Sequence, residues 1–373
     1  MIKSSGFFIA VSLLYSAFAF PQQTAPAAGN AAQSQAEPAP SGKAPALAER
    51  PATRPEAAAG RIQLDVVVAD KSGKPVSGLD LKDFSLLDNN QPVKILSFQA
   101  HDGAHPSSDL PVEVILLIDT VNLDFRYVAF VRQQMESFLT RNGGHLAQPV
   151  SLFVLTNTGL DIAGEPTTDG NALAEKVKQF DYRLRTIGPA QGVDGSIERF
   201  YSSLRSLSTL LQDEASRPGK KLLIWAGPGW PMLDSVNVQV SASGQRQNFE
   251  SIVGLSTALR EQRISLYSIS SAESGVGATV YRDFLKGVKS AAKVTPPNLG
   301  LKVLAVQSGG RVLGPNNQLT SQIDNCFSDA TSFYTLSFDP PHADHADEYH
   351  DLKVLIGEPG LVARTNTGYY NQP

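Results

Sequence analysis

Apolar residues run from Val112 to Ile118 with one interruption at Glu113, and the run ends in Asp119 and a short polar turn that includes Thr120 and Asn122. A strand apolar at nearly every position cannot be half exposed, so it belongs in the middle of a sheet covered on both faces by helices. Open α/β sheets present their crevices at the carboxyl ends of their strands, which makes the Asp119 end the place to look for a ligand.

The same alternation of period continues downstream. Phe125, Val128, Arg132, Met135, Phe138 and Leu139 fall on one helical stripe, with Asp124 placed to cap it. Buried strands are predicted over 150–155, 221–226 and 264–269, with a shorter one over 309–313. Helices are predicted over 172–180, through Ile197, Phe200, Leu204, Leu207 and Leu211, over 249–263 and over 319–327. Strands separated by helices of this length need right-handed crossovers, which gives an α/β fold with a doubly wound, mostly parallel sheet over 111–330.

On both sides of that region the period falls to two. Ile62, Leu64, Val66 and Val68 alternate with Gln63, Asp65 and Val67, and strands over 84–87 and 93–98 are separated by the turn Asp88-Asn89-Asn90-Gln91-Pro92. The tail carries strands over 334–338, 352–356 and 361–364. The expectation is that the N-terminal segment (60–105) and the C-terminal segment (331–373) pair into one β-sandwich-like module, with two separate modules as the alternative.

Composition changes the picture mainly at the N-terminus. Lys3, an apolar run over 7–18 and Ala17-Phe18-Ala19 make a secretory signal peptide over 1–19, cut after Ala19. Residues 20–59 are nearly all Ala, Pro, Gln, Ser and Gly, too polar to offset the entropy of ordering, and read as a disordered tether. The expected location is secreted or periplasmic, with no membrane insertion after cleavage. Across 373 residues the formal charge is -4, without the concentrated basic face that nucleic acid requires. Cys326 is the only cysteine, so no internal disulfide can form and the core must supply the stability; the thiol itself reads as a small buried hydrophobe.

The strand ending in Ile118-Asp119, the helix after it, and the strand and loop from Leu222 to Trp230 resemble the von Willebrand factor A domain. Three local matches resemble more narrowly the acidobacterial VWFA-related group of secreted bacterial proteins: the stretch from Val68-Ala69-Asp70-Lys71-Ser72-Gly73 to Asp83-Phe84, the run Ser308-Gly309-Gly310-Arg311, and the ending from Pro359-Gly360-Leu361-Val362-Ala363-Arg364 to Gly368-Tyr369-Tyr370. The resemblance implies a three-layer fold and a place for a divalent cation at the sheet's carboxyl edge. Its ligands would be an Asp, two hydroxyls in an Asp-x-Ser-x-Ser run, a Thr on a second loop and an Asp on a third.

Asp119 matches the first ligand position, but Val121 and Leu123 stand at the two hydroxyl positions, and Trp225-Ala226-Gly227 has no carboxylate. Ser196 is the candidate hydroxyl on the second loop. Because Mg²⁺ demands near-ideal oxygen geometry, Asp119 and Ser196 read as vestiges and no cofactor is expected; the alternative is a Mg- or Mn-dependent adhesion domain. Without metal, Asp119 would order the turn by accepting its backbone N–H groups.

The edge then becomes a surface for a protein partner through Thr120, Asn122, Gly229, Trp230 and Met232. Trp230, set between Gly229 and Pro231, is expected to be partly exposed and to serve as a contact. His342, His345 and His350 with the acids around them read as a solvated hairpin tip rather than a zinc site. Nucleophile elbows, zinc-protease motifs and phosphate loops are all missing from the sequence, so the expected function is non-enzymatic protein binding, with a secreted hydrolase as the remaining rival.

Overall fold

The computed structural model describes residues 60–102, 112–162, 164–180, 192–233, 241–270, 280–314 and 318–373, so the expected leader and tether lie outside the described residues. At the centre is β5 (Glu113–Asp119), parallel to β6 (His145–Thr156) on one side and to β9 (Lys221–Ala226) on the other. Strand β10 (Ile264–Ile269) continues the sheet beyond β9, again parallel. At the other edge β7 (Gly159–Ile162) and β8 (Thr167–Asp169) both run antiparallel to β6. The sequence did not mark this antiparallel edge.

Alternate residues of β5 enter two different cores, as a strand covered on both faces requires. Val114, Leu116 and Ile118 pack with Val128, Met135 and Phe138 of α1 (Phe125–Leu139), Leu173 and Val177 of α2 (Gly170–Gln179), and Ile323 and Cys326 of α6 (Leu319–Thr331). Ile115 and Leu117 pack with Phe200, Leu207 and Leu211 of α3 (Gly192–Glu214), Ile252 and Leu255 of α4 (Ala242–Glu261), and Leu301 and Leu304 of α5 (Leu301–Gln307). The expected cap on α1 is present: the Asp124 side chain accepts from the Arg126 N–H at 3.1 Å.

Helix α5 and three short 3₁₀ turns before it (Val280–Phe284, Ala291–Lys293 and Pro296–Leu299) have no periodicity that the sequence reading caught. Conversely, the strand expected over 309–313 reduces to one parallel bridge between Ser268 and Val312. The Ser308-Gly309-Gly310 run explains the difference. A Cβ on Gly310 would stand 1.9 Å from the Leu266 carbonyl oxygen, so this stretch is pressed against β10 as a turn.

The two flanking segments interleave. Strand β1 (Ile62–Ala69) pairs through its first half with β11 (Phe333–Phe338) and through its second half with β13 (Val362–Arg364), while β4 (Ser97–His101) covers the other side of β11. A second four-stranded sheet places β12 (Glu348–Ile356) between β2 (Phe84–Asp88) and β14 (Gly368–Asn371), with β3 (Gln91–Val93) beyond β2. Leu64, Val66, Leu336 and Phe338 from the first sheet share a core with Phe84, Leu86, Leu352 and Tyr369 from the second.

Buried charges hold these flanks to the amino ends of β9 and β10. Arg263 donates two hydrogen bonds to Asp65, at 2.7 and 3.0 Å, and Thr335 donates a third at 3.0 Å. Asp329 of α6 accepts from Tyr267 and Arg364, both at 2.8 Å. Lys220 lies 4.0 Å above the Phe333 ring, and burial pushes its ammonium down to about 8 against the pull of Asp65 and Asp329.

Candidate functional site

Asp119 ends β5 with no solvent exposure. Its Oδ1 accepts the backbone N–H groups of Val121 at 3.1 Å and Asn122 at 2.9 Å, the turn-ordering bonds anticipated from the sequence. Its Oδ2 accepts the Asn122 side-chain amide at 2.9 Å and the Trp225 indole N–H at 2.8 Å. Burial pushes the Asp119 carboxyl above its ordinary value, and the bonds from Trp225, Asn122 and Val121 pull against that without reversing it.

The surroundings are as closed as the carboxylate. Val121 and Leu123, at the positions where hydroxyls would stand, are each 1% exposed and pack into the two cores. Just after β9, a Cβ at Gly227 would lie 2.8 Å from the Asp119 Cβ, so a residue with a side chain does not fit there. The Trp225 indole occupies the space beside Oδ2 and presents a hydrogen, which a cation cannot replace without displacing the ring. A divalent cation needs several oxygen ligands; among the described residues this site brings one carboxylate, whose two oxygens already accept from four N–H groups.

Asn122 links the turn to α3 by donating to the Ser203 hydroxyl at 2.9 Å. Ser196 does not take that role. Its hydroxyl donates to the Gly192 carbonyl at 3.0 Å and accepts from Arg199 at 3.2 Å, within the first turns of α3. The serine that α3 contributes to the neighbourhood of Asp119 is therefore Ser203, which the sequence reading missed because the exact phase of a long helix against a neighbouring turn is not legible from periodicity. In the sequence Trp225 shows only as part of a buried strand; a buried indole usually finds an acceptor, and that is the available signal.

The expected exposure of Trp230 is overturned. It is 5% exposed, set edge to face against Trp225 at 5.3 Å and against Phe200 at 6.3 Å. Gly229 makes this possible: its φ of +93° turns the loop back over the sheet edge, so the indole enters the core instead of projecting from it. Thr120 and Gly229 are buried as well, and the Thr120 hydroxyl donates to the Leu155 carbonyl at 2.6 Å. Of the five residues proposed for partner contact, Asn122 and Met232 keep partial exposure, with Pro228 and Pro231 beside Met232.

The tail histidines also separate. His342 and His345 are exposed, but His350 is buried, with its Nδ1 2.8 Å from Asp88, whose other oxygen accepts from Tyr369 at 2.6 Å. His350 is thus a structural residue of the second flanking sheet and not part of a solvated tip.

No protein-family model matches the sequence, and no curated protein matches it. Among solved structures, the chain is similar to an aerotolerance-related membrane protein from Bacteroides fragilis NCTC 9343, at 10% identity and a TM-score of 0.35, over 58% of this chain and 98% of that one. It is similar to the SpRpn10 VWA domain at 10% identity and a TM-score of 0.30, over 58% of this chain and 94% of that one. The pilus adhesin SpaC from Lactobacillus rhamnosus GG aligns at 10% identity and a TM-score of 0.36, over 80% of this chain and 49% of that one. At 10% identity and TM-scores of 0.30 to 0.36, these likenesses carry no argument about what the chain does.

Proposed function

We propose that the chain is an extracytoplasmic, non-enzymatic protein-interaction module. In this reading a doubly wound von Willebrand A-type domain is supported by a β-sandwich built from the two flanks. Its carboxyl edge meets a protein partner without a divalent cation. The observation that carries the reading is the Asp119 carboxylate, enclosed by Trp225, Asn122 and the turn amides with apolar Val121 and Leu123 behind it. With Trp230 folded inward, the proposed contact surface is the rim formed by Asn122, Pro228, Pro231 and Met232.

Calorimetry with Mg²⁺ and Mn²⁺, together with melting in the presence and absence of EDTA, tests the metal-free part. The expected result is no binding heat and an unchanged melting temperature. A cation present at 100 times its Kd would add about 2.7 kcal/mol of stability, so a chelator-sensitive shift of several degrees would restore the metal-dependent alternative. Partner capture from the producing cell with wild type and an Asn122→Ala/Met232→Ala double variant tests the surface; equal capture by both would remove the rim from consideration.

A further inference from the structure

The formal charge of the whole chain is -4, yet one surface segment has the opposite sign. Between Val280 and Lys302 there are five cations, Arg282, Lys286, Lys289, Lys293 and Lys302, and a single acid, Asp283. Arg282, Lys286, Lys289 and Lys293 are exposed and Lys302 is half-buried. Among the described residues, none of the five side chains makes an ion pair or a hydrogen bond. Cations elsewhere are commonly spent on such pairs: Arg61 with Asp339, Arg141 with Asp324, Lys178 with Glu175, Arg263 with Asp65 and Arg364 with Asp329.

The segment is held from beneath, by groups other than its charges. Val288 and Val294 are buried in the core shared with α4 and α5, Tyr370 donates to the Val288 carbonyl at 3.0 Å, and the Gln307 side chain donates to the Leu285 carbonyl at 3.2 Å. The turn Val280–Phe284 packs on α5 and on Pro296–Leu299, while Ala291–Lys293 packs on α4, so both turns form a layer over the helices on this side of the sheet. Lys302 joins this layer to the carboxyl edge: its Cε lies 3.3 Å from where a Cβ on Gly229 would stand. Its ammonium is pushed down by burial with no carboxylate to offset the cost. Like charges gathered on a well-packed layer repel one another and create a positive potential that draws an opposite charge.

We propose that the surface formed by Arg282, Lys286, Lys289, Lys293 and Lys302 docks an acidic polypeptide segment of a protein partner, beside the carboxyl-edge rim. Two features favour a polypeptide over other polyanions. Tyr281 is buried and Phe284 is half-buried, which leaves no exposed aromatic face for stacking a base. Of the large hydrophobic residues exposed on the described surface, none falls between 280 and 302, so nothing there would enter a bilayer. An interface of this kind gains association rate and selectivity from charge and weakens with salt.

This inference rests on the reading of the chain as a protein-binding module but on different residues, so the two can fail separately. The test is fluorescence anisotropy on the full chain with a labelled Glu-rich peptide of about 12 residues, long enough to span several of the cations at about 3.3 Å per residue, and with its Gln counterpart. The expected result is binding of the Glu peptide only, weakened at least about tenfold by K286E/K289E/K293E and by raising salt across the Debye range. The neutral variant K286Q/K289Q/K293Q, with an intermediate loss and an unchanged melting temperature, separates lost charge from lost fold. Equal binding of the Gln peptide, or unchanged binding by the charge-reversed variant, would overturn the proposal. So would recognition of duplex DNA or phosphatidylglycerol vesicles with none of the Glu peptide. If the lysine variants bind normally while Asn122→Ala/Met232→Ala loses its partner, the acidic-segment proposal falls and the rim stands.

Discussion

Asp65, whose side chain is 7% exposed, and Asp119, which has no exposure, are enclosed aspartates, one at the junction between flank and domain and the other at the carboxyl edge, and they are handled in opposite ways. Desolvation raises both. At Asp65, the Coulombic attraction of Lys220 and Arg263 and the hydrogen bonds from Arg263 and Thr335 overcome it, so the carboxyl ends below its ordinary value. At Asp119 every partner is a neutral N–H donor, and the carboxyl ends above its ordinary value. Burial alone therefore does not set the state of a buried acid; the net charge of its partners does. The junction is an ionic clasp, while the edge is a hydrogen-bonded cap over what the resemblance would make a cation site.

The largest expected effect comes from breaking the clasp. Asp65→Ala leaves the buried Lys220 and the partly buried Arg263 without their carboxylate, a loss on the order of 3 kcal/mol by chemical denaturation. Asp119→Asn is expected to cost less, about 1–3 kcal/mol, because it sets an amide against donors from Trp225 and Asn122 without stranding a charge. If Asp119→Asn proved as costly as Asp65→Ala, the distinction between clasp and cap would fail.

Stability as a function of pH sharpens the contrast, since the two aspartates carry opposite signs. Asp65, lowered from 3.8, contributes stability that is present above that value and is lost as pH falls through its folded-state pKa. Asp119, raised from 3.8, contributes stability that is present below that value and is lost as pH rises through its folded-state pKa. Glu214 shows the second pattern at the amino end of the sheet: burial and the Glu113 charge push it up to about 7, with Arg217 no nearer than 3.6 Å. Stability should fall as pH rises from 4.5 to about 7, and Glu214→Gln should flatten that slope in a series of denaturant melts.

The smallest effect is expected at Trp230. Its indole nitrogen is buried without a hydrogen-bond partner, so Trp230→Phe keeps one aromatic ring beside Trp225 and Phe200 and gives up no hydrogen bond. The exchange is large to small, and the cavity it leaves should cost on the order of 1 kcal/mol. A larger loss would mean that the nitrogen has a role the packing does not reveal.

The parts of this molecule that were legible in the sequence are those where one pattern decides. The run over Val114–Ile118 could only be a central strand, and Asp119 after it could only be a turn or a ligand. The flanks were legible as strands from their period of two, and Leu64 and Phe338 point into a common core as that alternation required. Less was legible where geometry depends on neighbours. The fate of Trp230 turned on the backbone angle of Gly229, and the bond from Asn122 to Ser203 on the rotation of α3. The basic layer is not legible in the sequence because its cations stand three to nine residues apart, with no uninterrupted run to mark them.

The pairing of β1 with β11 also has a consequence in time. A ribosome delivers Ile62 long before Phe338, so the apolar face of β1 has no partner strand until the whole central domain has been made. Closing so long a loop is slow, and an unpaired strand edge invites association with other chains meanwhile. Folding should therefore end, rather than begin, with the first strand, and chains truncated before residue 333 should aggregate even where their central domain is intact.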